Sequence, residues 1–241
     1  MSWTNEETLW YHHLRGLNQR RIDGDVISGT VEKIDASIEL DPRQRVFDYS
    51  PAFKTDVELA EAQLAWYATM NRRITGSPFE GKGQWSHVKP TKSGFTNSNY
   101  GWCVYSPDNG DGEKSQFDFA IDSLIEKKHS RQAVIFYNRP GMHVDWKFDG
   151  MSDFTCTLDT HLFIRNDKLI YIVHQRSCDL FLGFFYDYYH HTAVYADALE
   201  KLRAKYDVGY GSILYHIDSL HVYERDFDTL EHIIKTFDFQ R

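Results

Sequence analysis

Cysteine is scarce in this chain. Three thiols, Cys103, Cys156 and Cys178, are spread over 241 residues, too few and too scattered for a disulfide scaffold or a zinc cage, so reduced thiols are expected. Long hydrophobic runs are missing: no stretch reaches the roughly 18 apolar residues of a membrane-spanning helix. The opening residues MSWTNEETLWYHH are polar and acidic, without the apolar segment of a signal peptide. A soluble, cytoplasmic protein is expected. Positive charge is in deficit, with 27 Lys and Arg against 35 Asp and Glu for a net −8. Such a chain repels nucleic-acid backbones and anionic membranes, and any anionic ligand has to be small and held by a local cluster. Internal repeats, low-complexity tracts and linkers are also missing. A composition 41% hydrophobic and 26% charged excludes disordered, collagen-like and coiled-coil classes and fits one globular domain over residues 1–241.

Aromatic residues, by contrast, make up 15% of the chain and are spread along it, which favours a broad sheet packed with helices over a helical bundle. A helix is expected from Asn5 to Gln19, capped by Thr4 with Glu6 and Glu7 in its first turn. Asp56 to Asn71 and Ser115 to Lys127 read as further helices, and Thr75 to Tyr100 as long surface loops. Ala133 to Tyr137 suits a buried strand. Thr155 to Arg176 holds two β-rich runs around an Asn166-Asp167 turn. A long buried helix after Gly183, a strand from Ser212 to Tyr223 and a helix over Thr229 to Lys235 complete the pattern. Strands interleaved with helices give an α/β or α+β fold, a mixed sheet packed with helices.

Cys156, in MSDFTCTLDT at the entrance to a predicted strand, is either a small core hydrophobe or a nucleophile. The segment QRSCDLFLGFFYD sets Arg176, Ser177, Asp179 and Asp187 around a strand end and a helix start. A guanidinium beside a hydroxyl can clamp a phosphate and lower a neighbouring thiol's pKa, while an Arg176–Asp179 surface ion pair is the plainer alternative. His221 and Tyr223 alternate on one strand face, so both can reach one hydroxyl-bearing ligand. The doublets His12-His13 and His190-His191 lack accompanying ligands and read as surface or packing residues, and no metal is expected. Trp66, Tyr67, Phe184, Phe185, Tyr188 and Tyr189 read as core.

Taken in order, SNYGW at Ser98 to Trp102, SRQ at Ser130, GMSDFTCT ending at Thr157, QRSCDLFLGFFYD, and SLHVY at Ser219 to Tyr223 resemble the thymidylate synthase superfamily. NSNYGW and GMSDFTCT are similar to its deoxycytidylate hydroxymethylase branch. The resemblance implies a thymidylate synthase-like fold, a homodimer, and dCMP and 5,10-methylenetetrahydrofolate as substrates, with no metal. It makes Cys156 the thiolate that adds to C6 of the pyrimidine. Arg176 and Ser177 would hold the phosphate with Arg131 from the partner subunit, and His221 and Tyr223 the sugar hydroxyl. Tyr100 would assist removal of the C5 proton, and Trp85 and Asp179 would contact the folate. Asp187 stands where the synthases have Asn, which implies cytosine rather than uracil, because a carboxylate accepts from the amino group and can share a proton with N3. Methylation of dCMP and hydroxymethylation of dUMP remain alternatives on the same fold.

The pattern departs from the family at three places. Gln63 stands where the family has a glutamate that organises water and proton transfers, and an amide can order water but cannot ionise. This also leaves open a nucleotide-binding pseudoenzyme. Gln132 replaces a second arginine, and the ending at Arg241 leaves little of the family's closing tail.

Overall fold

The computed structural model describes residues 4–50 and 53–236. Thr4 opens the chain's first helical segment with a capping box, its hydroxyl accepting from the Glu7 amide while the Glu7 carboxylate accepts from the Thr4 amide. That segment comprises α1 (Asn5–Leu9), a π-turn over Trp10–Leu14, and α2 (Arg15–Ile22). Three leucines, Leu9, Leu14 and Leu17, are buried along it.

Next come β1 (Thr30–Leu40), a small ribbon of β2 (Asp48–Ser50) and β3 (Phe53–Lys54), and α3 (Val57–Ala68), whose N-cap is Asp56. The expected loop region over Thr75 to Tyr100 holds only one 3-10 turn, Gly83–Ser86. It leads into α4 (Tyr100–Tyr105), α5 (Gln116–Glu126), capped by Ser115, β4 (Val134–Phe136) and the short α6 (Met142–Asp145). The remainder is β5 (Thr157–Arg165), β6 (Lys168–Gln175), β7 (Cys178–Asp179), α7 (Phe184–Arg203), β8 (Gly209–Tyr223) and α8 (Phe227–Thr236).

The main sheet runs β1-β8-β6-β5-β4, with β7 also pairing with β8. Only the β6–β8 and β7–β8 pairings are parallel; the rest are antiparallel. Asn166 and Asp167 both take left-handed backbone, with φ of 50° and 55°, the geometry that a two-residue turn needs to match strand twist, so the predicted hairpin forms there. Along β6 the inward residues Leu169, Tyr171, Val173 and Gln175 are buried and alternate with partly exposed ones. Helix α7 is buried over most of its length, with Phe184 and Tyr188 packed on Tyr215 of the sheet.

One long strand is absent from the expectations above. In β1 the buried positions are Val31 and then Ala36, Ile38 and Leu40, so the two-residue period slips by one, and Asp35 at the slip has φ of 58°. Facing β8 slips at the same level, from Ile217 to Leu220. An interrupted alternation carrying Glu32, Lys33, Asp35 and Glu39 conceals a strand from periodicity.

Candidate active site

Three strand ends and one helix start meet at one edge of the sheet. The Arg176 amide donates to the Cys156 carbonyl at 3.0 Å, setting the end of β6 beside the approach to β5. Cys178 and Asp179 pair with Leu220 and His221, which lays the QRSCD segment along the end of β8. The chain then turns at Gly183, whose amide donates to the Asp179 carbonyl at 3.0 Å, and α7 begins, carrying Asp187 in its first turn. Across the opening lies α4, held so close to α3 that a Cβ on Gly101 would sit 1.9 Å from the Tyr67 carbonyl oxygen. Only glycine fits there, and that contact fixes the neighbouring Tyr100.

These elements enclose a cavity of about 430 Å³, a size suited to a small molecule. Cys156, Tyr100, Asp187, Arg176, Ser177, His221, Tyr223, Trp85 and Asp179 all line it. Gln63 and Arg131 do not.

Cys156 is half-buried, with Arg176 Nη2 at 3.7 Å and Ser177 Oγ at 3.9 Å from its sulfur. Burial pushes the thiol up, Arg176 pulls it down and Asp187 pushes it up again. Cys103 and Cys178 are buried in the core, and Cys178 also borders the cavity. Arg176 also donates to the carbonyls of Thr155 at 3.0 Å and Phe154 at 2.8 Å and to Ser177 Oγ at 3.0 Å. Four of its five N–H groups are thereby engaged, leaving one for a ligand. It does not pair with Asp179. That carboxylate instead accepts from Arg225 at 2.9 Å and from the Phe181 amide at 3.1 Å.

Asp187 is 5% exposed. Burial pushes its carboxyl up to about 7, against a partial opposing pull from Gln175, whose Nε2 donates to it at 2.7 Å. Tyr100 stacks on Tyr67 at 5.6 Å and accepts from the Thr157 amide at 3.2 Å. Burial holds its phenol well above the ordinary tyrosine range, so it is a neutral hydroxyl. His221 Nδ1 lies 3.2 Å from the Ser219 carbonyl. A carbonyl only accepts, so Nδ1 carries the proton and Nε2 is left as an acceptor for a ligand hydroxyl.

Gln63 is buried behind the cavity wall. Its Oε1 accepts from Trp85 Nε1 at 3.1 Å and Gln84 Nε2 at 3.3 Å, and its Nε2 donates to Tyr67 Oη at 2.7 Å. Replacing it by Ala strands the buried Trp85 and Tyr67 groups, and Gln63→Ala is expected to cost about 3 kcal/mol in chemical denaturation. A loss under about 1 kcal/mol would mean that Trp85 is held by ring packing on Trp66 and Phe79 alone. Glu61, two residues earlier, is bound by Tyr189 and Arg45.

Several lining residues were given no role in the sequence reading: Gln84, His87 and Arg225 were not singled out, and Ser98 and Asp153 entered only as members of quoted motifs. Arg225 continues the alternation of His221 and Tyr223, a signal that could have found it. Ser98 Oγ donates to Asp153 at 2.6 Å, a contact between distant loops that no local pattern encodes. Of the doublets, His190 and His191 are buried in the core, as is His13.

The fold is of the thymidylate synthase type. The structure is similar to thermostable thymidylate synthase A of Bacillus subtilis, with a TM-score of 0.62 at 20% identity over 88% of this chain and 73% of that one. A family model described as thymidylate synthase matches residues 17–239, and the chain belongs to the thymidylate synthase family. It is similar to the deoxycytidylate 5-hydroxymethyltransferase of Enterobacteria phage T4, 36% identical over 186 residues, 74% of this chain and 72% of that protein. The enzyme of the same name from Enterobacteria phage T2 is 35% identical over 182 residues, 73% and 70% of the two chains. No helix among the described residues is long and apolar enough to cross a membrane.

Proposed function

We propose that this protein is a cytoplasmic homodimeric one-carbon transferase that hydroxymethylates C5 of dCMP with 5,10-methylenetetrahydrofolate as the carbon donor. The observation that carries this reading is Asp187, a buried carboxyl held near pKa 7 in the same cavity as the half-buried thiol of Cys156. Half-protonated near neutral pH, it can accept from the cytosine amino group and give a hydrogen bond to N3. The thiolate of Cys156 adds to C6, and the electron pair so pushed onto C5 attacks the one-carbon iminium of the folate. Tyr100, a neutral phenol, relays the C5 proton outward as the C5–H bond breaks. Tetrahydrofolate leaves, water adds to the exocyclic methylene, and the thiolate departs. His221 and Tyr223 receive the sugar hydroxyl, and Trp85 and Asp179 the folate. Gln63 serves as a positioning residue through Trp85 and Tyr67.

The homodimer is proposed to complete the phosphate site. The cations lining the cavity are Arg176, with one N–H to spare, and Arg225, tied to Asp179. Arg131 is exposed and outside the lining, and its proposed role is to bind the phosphate in a partner's cavity.

The test is mass spectrometry of nucleotides after incubation with the folate and, separately, dCMP, CMP and dUMP, with tritium release from C5 followed alongside. A gain of CH2O on dCMP is expected. A gain of CH2 would replace hydroxymethylation by methylation, product from dUMP alone would overturn the base assignment, and neither product nor tritium release would leave a nucleotide-binding protein.

A further inference from the structure

The face of the sheet turned away from the core carries a row of polar side chains in register. Asp159 of β5 pairs with His174 of β6, His174 with His216 of β8, and His216 with Ser37 of β1. Contacts run along the row: His174 Nδ1 lies 2.6 Å from Asp159 Oδ1, the His174 and His216 rings stack at 5.4 Å, and His216 Nδ1 lies 3.2 Å from Ser37 Oγ. His161, two residues beyond Asp159 and so on the same face, brings Nε2 to 3.3 Å from the same carboxylate oxygen. None of these residues lines the catalytic cavity.

We propose that Asp159, His161 and His174 form a binding site for a divalent first-row transition metal ion, Zn²⁺ foremost. One ligand atom from each residue lies within 4.8 Å of the other two. Donors at about 2.0–2.1 Å from a tetrahedral Zn²⁺ stand roughly 3.3 Å apart, so the observed 2.6 and 3.3 Å separations need only small side-chain rotations. Two imidazoles and a carboxylate suit Zn²⁺, Ni²⁺ or Cu²⁺ better than Mg²⁺ or Ca²⁺. On binding, each imidazole moves its proton to its other ring nitrogen and offers the vacated lone pair. The fourth position is left to water or to His216. All three ligands sit on two adjacent paired strands, so little ordering is required, and the ion would cross-brace β5 and β6.

The experiment is a Zn²⁺ titration by calorimetry, with Co²⁺ absorption as the spectroscopic reporter, on untagged full-length protein carrying Cys156→Ser so that the cavity thiol cannot supply a ligand. One ion per chain and a tetrahedral Co²⁺ spectrum are expected. His161→Gln, His174→Gln and Asp159→Asn should each weaken binding by at least about 100-fold, with secondary structure checked by circular dichroism. A measurement needing no change at the site is the Zn²⁺-induced shift of the His161 and His174 ring signals in NMR, which should saturate together. Absence of saturable binding, binding unaltered by these substitutions, or ring signals that do not move would overturn the site.

Discussion

Replacing Cys156 by Ser is expected to lower turnover by about 10⁴-fold or more, equivalent to about 5.5 kcal/mol at 1.4 kcal/mol per decade, and to abolish tritium release from C5. A serine hydroxyl is far less acidic than a thiol, and the surroundings of Cys156 already resist ionisation. Burial, the largest effect, and Asp187 oppose the anion there, while Arg176 and a hydrogen bond from Ser177 favour it. Oxygen would be left un-ionised and a poor nucleophile toward C6. The substitution should leave the site otherwise standing. Arg176 secures the preceding loop through the backbone carbonyls of Phe154 and Thr155, and the Arg176 amide binds the Cys156 carbonyl, none of which involves the sulfur. Nucleotide binding, measured by calorimetry, should therefore survive while both rates vanish. Undiminished turnover would remove the covalent step from the proposed function. Lost binding as well as lost turnover would mean that the sulfur organises the pocket.

Much of this architecture was legible in the sequence, and the physical reasons differ from one element to the next. Helices α3 and α5 announce themselves because Asp56 and Ser115 accept from backbone amides in their first turns, a local interaction written in local sequence. Asn166-Asp167 forms its turn because those residue types tolerate left-handed backbone. Strand β1 was hidden because its inward side changes parity at Asp35, a consequence of its pairing with β8. At the site, Cys156, Arg176, Ser177 and His221 could be named from motifs, since residues at strand ends carry their neighbours with them. The environment of each could not be named. The engagement of Arg176 by three loop carbonyl and hydroxyl oxygens, the tie between Asp179 and Arg225, and the position of Gln63 behind Trp85 are tertiary contacts. The same holds for the Asp159, His161 and His174 cluster, whose members become neighbours only when β5 and β6 pair.

Asp187→Asn should exchange one base for the other and flatten the pH dependence of stability. The neutral carboxyl matches cytosine at two points, accepting from the amino group and donating to N3, whereas an asparagine amide donates to O4 of uracil and accepts from its N3–H. Two mismatched hydrogen bonds in a buried site cost about 1–3 kcal/mol each, so the dCMP-to-dUMP ratio of kcat/KM should fall by at least about 100-fold. An unchanged ratio would place the base elsewhere. For stability, the carboxyl ionises near its ordinary 3.8 when unfolded and near 7 when folded. Between those values the folded state binds more protons, so stability falls as pH rises through that window, by about 4 kcal/mol in total. The amide cannot ionise and can keep the contact with Gln175 by turning its oxygen toward Nε2. Denaturant midpoints of the two proteins should therefore be similar near pH 4, with the Asn variant drawing ahead as pH approaches 8. Parallel curves would mean that the Asp187 carboxylate is stabilised in the folded state by water or by a cation, and that its neutral form is not what selects cytosine.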